Sequence, residues 1–159
     1  MKSLFFFTLF GIVTFAGFSQ NDIKFSIKKS QDTILSGNIL QVVFQLDNGK
    51  GSGFEPPLFE KFQIVQGPST QSYFSMVNGA ITQSLSFTYW IKPKEEGILF
   101  IEPASITVDG KVLETEIKSV VVLPNPDGLV EEPTPLIDNE FFKERIPPQP
   151  RKNRKTTKL

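Results

Sequence analysis

Between Thr70 and Lys92 the chain reads TQSYFSMV, then Asn78-Gly79, then AITQSLSFTYWIK. Asn-Gly tolerates positive φ at both central positions of a type I′ turn, the turn whose twist matches two antiparallel strands. The second run alternates through Leu85, Phe87, Tyr89 and Ile91, so these side chains share one face of a pleated strand. Residues 70–92 therefore predict a β-hairpin. Trp90 lies between Tyr89 and Ile91 and is expected on the outer face, as a partly covered aromatic.

The same period continues on both sides. Downstream, Pro93-Lys94-Glu95-Glu96-Gly97 closes the second arm and a strand is expected at Ile98 to Ile101. Asp109-Gly110 separates Ala104 to Val108 from Lys111 to Glu114 as a second hairpin, and Ile117 to Val122 forms the last strand. Upstream, Ile23, Phe25 and Ile27 alternate, then Leu40, Val42, Phe44 and Leu46 after a turn at Ser36-Gly37-Asn38. Asn48 to Gly53 reads as a flexible break, and Pro56-Pro57 argues against a central strand there, since neither has an amide hydrogen for a ladder. Phe62, Ile64 and Gln66 resume before Gly67-Pro68. Seven or eight short strands at intervals of about 8 to 12 residues, without a helical period, predict an all-β, immunoglobulin-like antiparallel β-sandwich over residues 20–123. A small closed barrel shows the same alternation and is the alternative.

The ends differ from this body. Lys2, the apolar run Leu4 to Phe15 and the small-residue end Ala16-Gly17-Phe18-Ser19 form a signal peptide over residues 1–19, with cleavage expected before Gln20. The run is too short for the roughly 20 residues of a retained membrane span. The mature protein is thus expected to be exported, periplasmic or secreted, and soluble. The absence of Cys removes both a disulfide and the lipid-modified cysteine of a bacterial lipoprotein, so packing alone must hold the core. Seven of the twelve prolines fall between Pro124 and Pro150, which marks residues 124–159 as a Pro-rich linker and basic tail, largely disordered. From Lys143 onward seven basic residues face Glu144 alone, whereas residues 20–142 carry nine basic and sixteen acidic side chains.

The ordered segments resemble the amino-terminal domain of the BatD family, the bacterial oxygen-tolerance proteins. The match is carried by Leu35-Ser36-Gly37, Val42-Val43-Phe44-Gln45-Leu46, Gly51-Ser52-Gly53-Phe54-Glu55-Pro56-Pro57-Leu58-Phe59 and Phe62-Gln63-Ile64-Val65-Gln66-Gly67-Pro68. It continues through Asn78-Gly79, Ser86-Phe87-Thr88-Tyr89, Ile91-Lys92-Pro93-Lys94, Gly97 and Ile101 to Lys111. The resemblance implies a periplasm-facing protein grouped with a MoxR-type ATPase and von Willebrand factor A-domain membrane proteins, in a system linked to aerotolerance and envelope stress. It implies no enzymatic activity. Longer members add further β-domains and a transmembrane helix; this chain stops after one β-domain, as a short soluble member or a truncated remnant, so those features are not carried over.

Catalytic chemistry has little to stand on. Without His or Cys the commonest general base, transition-metal ligand and thiol nucleophile are missing, and no cofactor or metal is expected. The carboxylate pairs Glu95-Glu96, Glu114 with Glu116, and Glu131-Glu132 read as solvated surface rather than as a glycosidase pair. Asp47-Asn48-Gly49 and Asp109-Gly110 lack the ligand series of a calcium loop.

Contacts with partners are therefore sought elsewhere. Phe54, Pro56, Pro57 and Leu58 in the Gly- and Pro-rich loop are candidate contact residues, against the reading that Phe54 and Leu58 tuck under the sandwich. Phe141 and Phe142 follow Asp138, a possible helix cap, and are expected to dock on a partner or back on the sandwich. Arg151, Lys152, Arg154 and Lys155 form a polybasic end. Export removes a nucleic-acid partner, leaving an acidic protein surface, this domain's own acidic face, peripheral contact with anionic lipid, or a merely solubilising end. Two function classes follow: a non-enzymatic module that binds an envelope protein through a sheet edge or the loop Gly51 to Leu58, and a carbohydrate-binding or adhesion module presenting Tyr73, Tyr89 or Trp90. A hydrolase would need a polar cleft with convergent carboxylates.

Overall fold

The structure is a computed structural model and describes residues 22–77, 80–133 and 136. The signal segment, the Asn78-Gly79 turn, Phe141, Phe142 and the basic end lie outside the described residues. Ten strands run in the order β1 (Lys24–Lys29), β2 (Thr33–Leu35), β3 (Leu40–Asp47), β4 (Gly51–Glu55), β5 (Phe62–Val77), β6 (Ala80–Pro93), β7 (Gly97–Ile101), β8 (Ser105–Val108), β9 (Lys111–Glu114) and β10 (Lys118–Leu123).

One layer is a four-stranded antiparallel sheet ordered β1-β3-β6-β5. The opposing layer is split into β2-β10-β7 and β4-β8-β9. Inward side chains from both layers meet in one core: Phe25, Ile27, Val42, Phe44, Leu46, Tyr89 and Ile91 from the first, Leu99, Ile101, Ile106, Val108, Val120 and Val122 from the second. This is the all-β sandwich that the alternation predicts. The layers stay open at β1 and β5, unlike a closed barrel.

The differences from the sequence reading are local. The count is ten strands instead of seven or eight, because the three-residue β2 and the glycine-rich β4 are too short or too poor in β-formers to register as periodic. Not every pair is antiparallel: β2 lies parallel to β10, with Val121 opposite Thr33 and Leu123 opposite Leu35. The apparent break at Gly67-Pro68 is an interruption inside β5, which absorbs two register shifts between Ile64 and Ser69 and stays paired to β6 throughout. Gly67 is required there. Its φ is 128°, and a Cβ would meet the Thr88 carbonyl oxygen at 2.8 Å. At the Asp109-Gly110 turn both residues have positive φ, 49° and 76°, as a type I′ hairpin demands.

Past β10 the described residues make polar ties without strand pairing. The Asn125 side chain donates to the Ser36 carbonyl at 3.0 Å and to the Leu129 carbonyl at 2.9 Å, and accepts from the Leu129 N–H at 2.9 Å. The Leu136 N–H donates to the Gln41 side-chain oxygen at 2.6 Å, on the outer face of the four-stranded sheet. These ties carry the end of the chain from one layer round to the outside of the other.

Two predictions follow from this packing. Phe44 is fully buried and touches three other rings, so Phe44→Ala is expected to lose about 3–5 kcal/mol by transfer and cavity terms, read from urea unfolding. Stability should also be flat between about pH 5 and 8, since no His or Cys is present to titrate. Below that window it should fall. The ion pairs with Lys29 and Lys118 hold the carboxyls of Asp32 and Glu116 below their ordinary values, so their contribution is present above the unfolded-state values and is lost as pH drops through the folded ones. Thermal midpoints across pH measure both limbs.

Candidate functional site

Residues 62–91 contain no Asp, Glu, Lys or Arg, in a protein where these make up 21% of the chain. This stretch is nearly the whole of the β5–β6 hairpin, whose arms are 16 and 14 residues long. Among the described residues β5 is the last strand of its sheet, so its far side is not paired with another described strand. Natural edges are commonly guarded by charge, a bulge or proline. Here the register shifts and Pro68 guard only the first part. From Ser69 to Val77 the pairing with β6 is regular, which leaves a nine-residue uncharged edge.

The hairpin also outruns the sandwich. β3 ends with Asp47 opposite Ser84, and the Asn48 N–H donates to the Gln83 carbonyl at 2.8 Å. The four residues from Gln83 to Ala80, with their partners Phe74 to Val77, project beyond that point by about 13 Å at 3.3 Å per residue. Phe74, Met76 and Ile81 lie on the face that carries Phe87 and Leu85 toward the core, one or two rows further out. They are 62%, 60% and 51% exposed, because the opposing layer does not reach them.

The loop Gly51 to Phe59 divides its candidate residues between inside and outside. Phe54 stacks on Phe87 at 3.8 Å between ring centres and 4° between planes, and it also meets Phe25 and Phe44. It therefore belongs to the aromatic cluster at the core's margin. Pro57 is buried, while Pro56 is exposed and Leu58 is 79% exposed. Phe59, which the sequence reading did not single out beyond the family match, is buried against Tyr89 and Phe44 and has a left-handed φ of 51°. Leu58 stands out of the surface because both of its neighbours turn inward. Phe54→Ala should cost about 2 kcal/mol or more of stability in urea melts, whereas Leu58→Ser should stay within about 0.5 kcal/mol of the parent.

The other candidate chemistry is dispersed. All six glutamates of the three close pairs are exposed, and Glu116 is engaged by Lys118 at 2.7 Å. No group of three or more metal-ligating side chains gathers among the described residues. Burial pushes the Tyr89 hydroxyl's pKa up, in keeping with a core ring. Tyr73 and Trp90 are half-buried on the outer face, and six residues along the register, about 20 Å, separate their rows. They form no joint platform.

A long uncharged hairpin at the margin of a sandwich whose carboxylates lie scattered over its surface is what distinguishes this β-sandwich domain. The family model described as BatD DUF11 like domain matches residues 27–122. The chain belongs to the BatD family. No curated protein and no solved structure matches it.

Proposed function

We propose that this chain is a non-enzymatic interaction module of the BatD type, working in the periplasm within an aerotolerance or envelope-stress system. Its partners in this reading are envelope proteins of that system, the von Willebrand A-domain membrane proteins first, with a MoxR-type ATPase in the same assembly. The observation that carries the reading is that the outermost described strand of the four-stranded sheet is uncharged and regular from Ser69 to Val77. Such an edge accepts an extended segment of another chain by main-chain hydrogen bonds, with alternate side chains supplying selectivity. Pro56 and Leu58 belong to the loop that the second proposed contact region would use. Sugar recognition has no comparable support, since Tyr89 is in the core and the other two rings lie far apart.

The test is binding of the mature chain, residues 20–159, to a purified von Willebrand A-domain protein of the same organism, read by calorimetry. Gln71→Lys with Ser75→Lys places two charges along the edge strand and should weaken binding at least tenfold while leaving the circular dichroism spectrum unchanged. A photo-crosslinker at Gln71 should give an adduct of the two proteins in intact envelopes. Recovery of only this chain from that position, with no calorimetric signal, would end the reading.

A further inference from the structure

Among the described residues no layer covers the inner face of the projecting hairpin arms, and three of its apolar side chains are exposed. A two-stranded ribbon in water is marginally stable and needs something packed on its apolar face. The described part of the chain supplies nothing: Phe74, Met76 and Ile81 are all more than half exposed.

The remainder of the mature chain is poorly placed to cover it. Ahead of Asp22, cleavage before Gln20 would leave only Gln20 and Asn21, two short polar residues at the right end of the sheet. The other end leaves from the wrong place. Leu136 is held by Gln41, whose sheet neighbour on β6 is Trp90, nine residues or about 30 Å from Ile81 along that strand. Phe141 and Phe142 follow Leu136 by five and six residues and reach at most about 22 Å, starting from the opposite face. The basic end is long enough, but laying it on three apolar side chains would desolvate charge with no acidic partner within residues 62–91.

A lipid surface fits poorly as well. Phe74, Met76 and Ile81 share one face of the ribbon, and the opposite face carries Tyr73, Ser75, Thr82 and Ser84, so a bilayer would meet hydroxyl-bearing side chains together with the apolar ones. One-sided apolarity is what a second sheet covers. We propose that the inner face of Phe74, Met76 and Ile81 is closed by the same face of a second copy, in a two-fold symmetric dimer.

The match is self-complementary. Neither face brings a charge to be buried, and Met76 is flexible enough to fill the gaps between two rings. Two such ribbons packed about 10 Å apart reproduce outside the sandwich the layering found within it. An isologous contact needs only one patch, and it closes at two copies. With three apolar side chains from each copy, it falls among the small interfaces, under roughly 1,200 Å², and association is weak and concentration-dependent. The face is distinct from the β5 edge, so the dimer does not rest on edge pairing with an envelope protein.

Sedimentation equilibrium of residues 20–159 tests it. The mass should rise from monomer toward dimer with concentration, and Met76→Lys or Ile81→Lys should weaken association at least tenfold with an unchanged circular dichroism spectrum. The absence of Cys makes single-cysteine trapping clean. Under mild oxidation Met76→Cys should give a covalent dimer several times faster than Gln71→Cys, which lies on the outer face. Monomeric mass at every concentration, association untouched by both lysine variants, or faster trapping at Gln71 would each overturn the proposal. So would a monomer that binds phosphatidylglycerol vesicles through Met76.

Discussion

Phe44 is the contact on which the two layers depend. It sits in the middle of β3, a central strand of the larger sheet, and its ring meets Phe54 at 5.7 Å, Tyr89 at 6.0 Å and Phe59 at 6.3 Å. Those three come from β4, β6 and the loop between β4 and β5, so one side chain ties the larger sheet to the chain segment that crosses between layers. With no cysteine in the chain, aromatic burial supplies the cross-link that a disulfide provides in many small domains. It also determines what the loop can offer. Phe54 and Phe59 are drawn into this cluster, and Leu58, between Pro57 and Phe59, is left pointing outward.

Most of the fold was legible because two signals are local. Asp109-Gly110 marked a hairpin by the φ angles it tolerates, and Asn78-Gly79 marked the longer one, where Val77 pairs with Ala80 across the connection. Alternation in β1, β3 and β6 placed Phe25, Phe44 and Ile91 in the core. The misread stretches failed for an equally physical reason. β4 reads as a flexible break because Gly51 and Gly53 are poor strand formers, but its neighbours leave no room for a side chain: a Cβ on Gly51 would lie 2.4 Å from Ile106 Cδ1. Packing against β8 imposes the extended conformation there, and no propensity predicts that. Likewise Gly67-Pro68 looks like an end, and only the continued pairing with β6 shows one strand bending past an obstacle.

The candidate surface was less legible, and the reason is instructive. Motif searches look for residues that do chemistry, whereas the distinguishing property of residues 62–91 is that a class of residue is missing. Counted over the whole chain, the charges balance and conceal the gap. The gap acquires meaning only with the sheet order, which makes β5 an edge, and with the register, which shows the hairpin passing the end of β3. Tyr89 and Trp90 illustrate the converse. Period two alone says that one of the pair faces in, and the larger, more conspicuous Trp90 is the one turned out, since Tyr89 is in phase with Phe87 and Ile91.

Edge and face are perpendicular surfaces of the same hairpin, and that geometry bears on what the module can do. A strand added to β5 lies in the plane of the sheet and bonds to the backbone, while a layer placed over Phe74, Met76 and Ile81 lies above that plane and contacts only side chains. Neither blocks the other. Covering the face would stiffen the projecting arms, which run beyond the end of β3, and a stiffer edge loses less conformational entropy when it captures a partner strand. The two contacts would then be coupled favourably through one element, with each copy in a pair presenting a preordered edge. An uncharged hairpin longer than its sandwich is costly to leave bare in water, and the two proposed contacts would together account for both its length and its lack of charge.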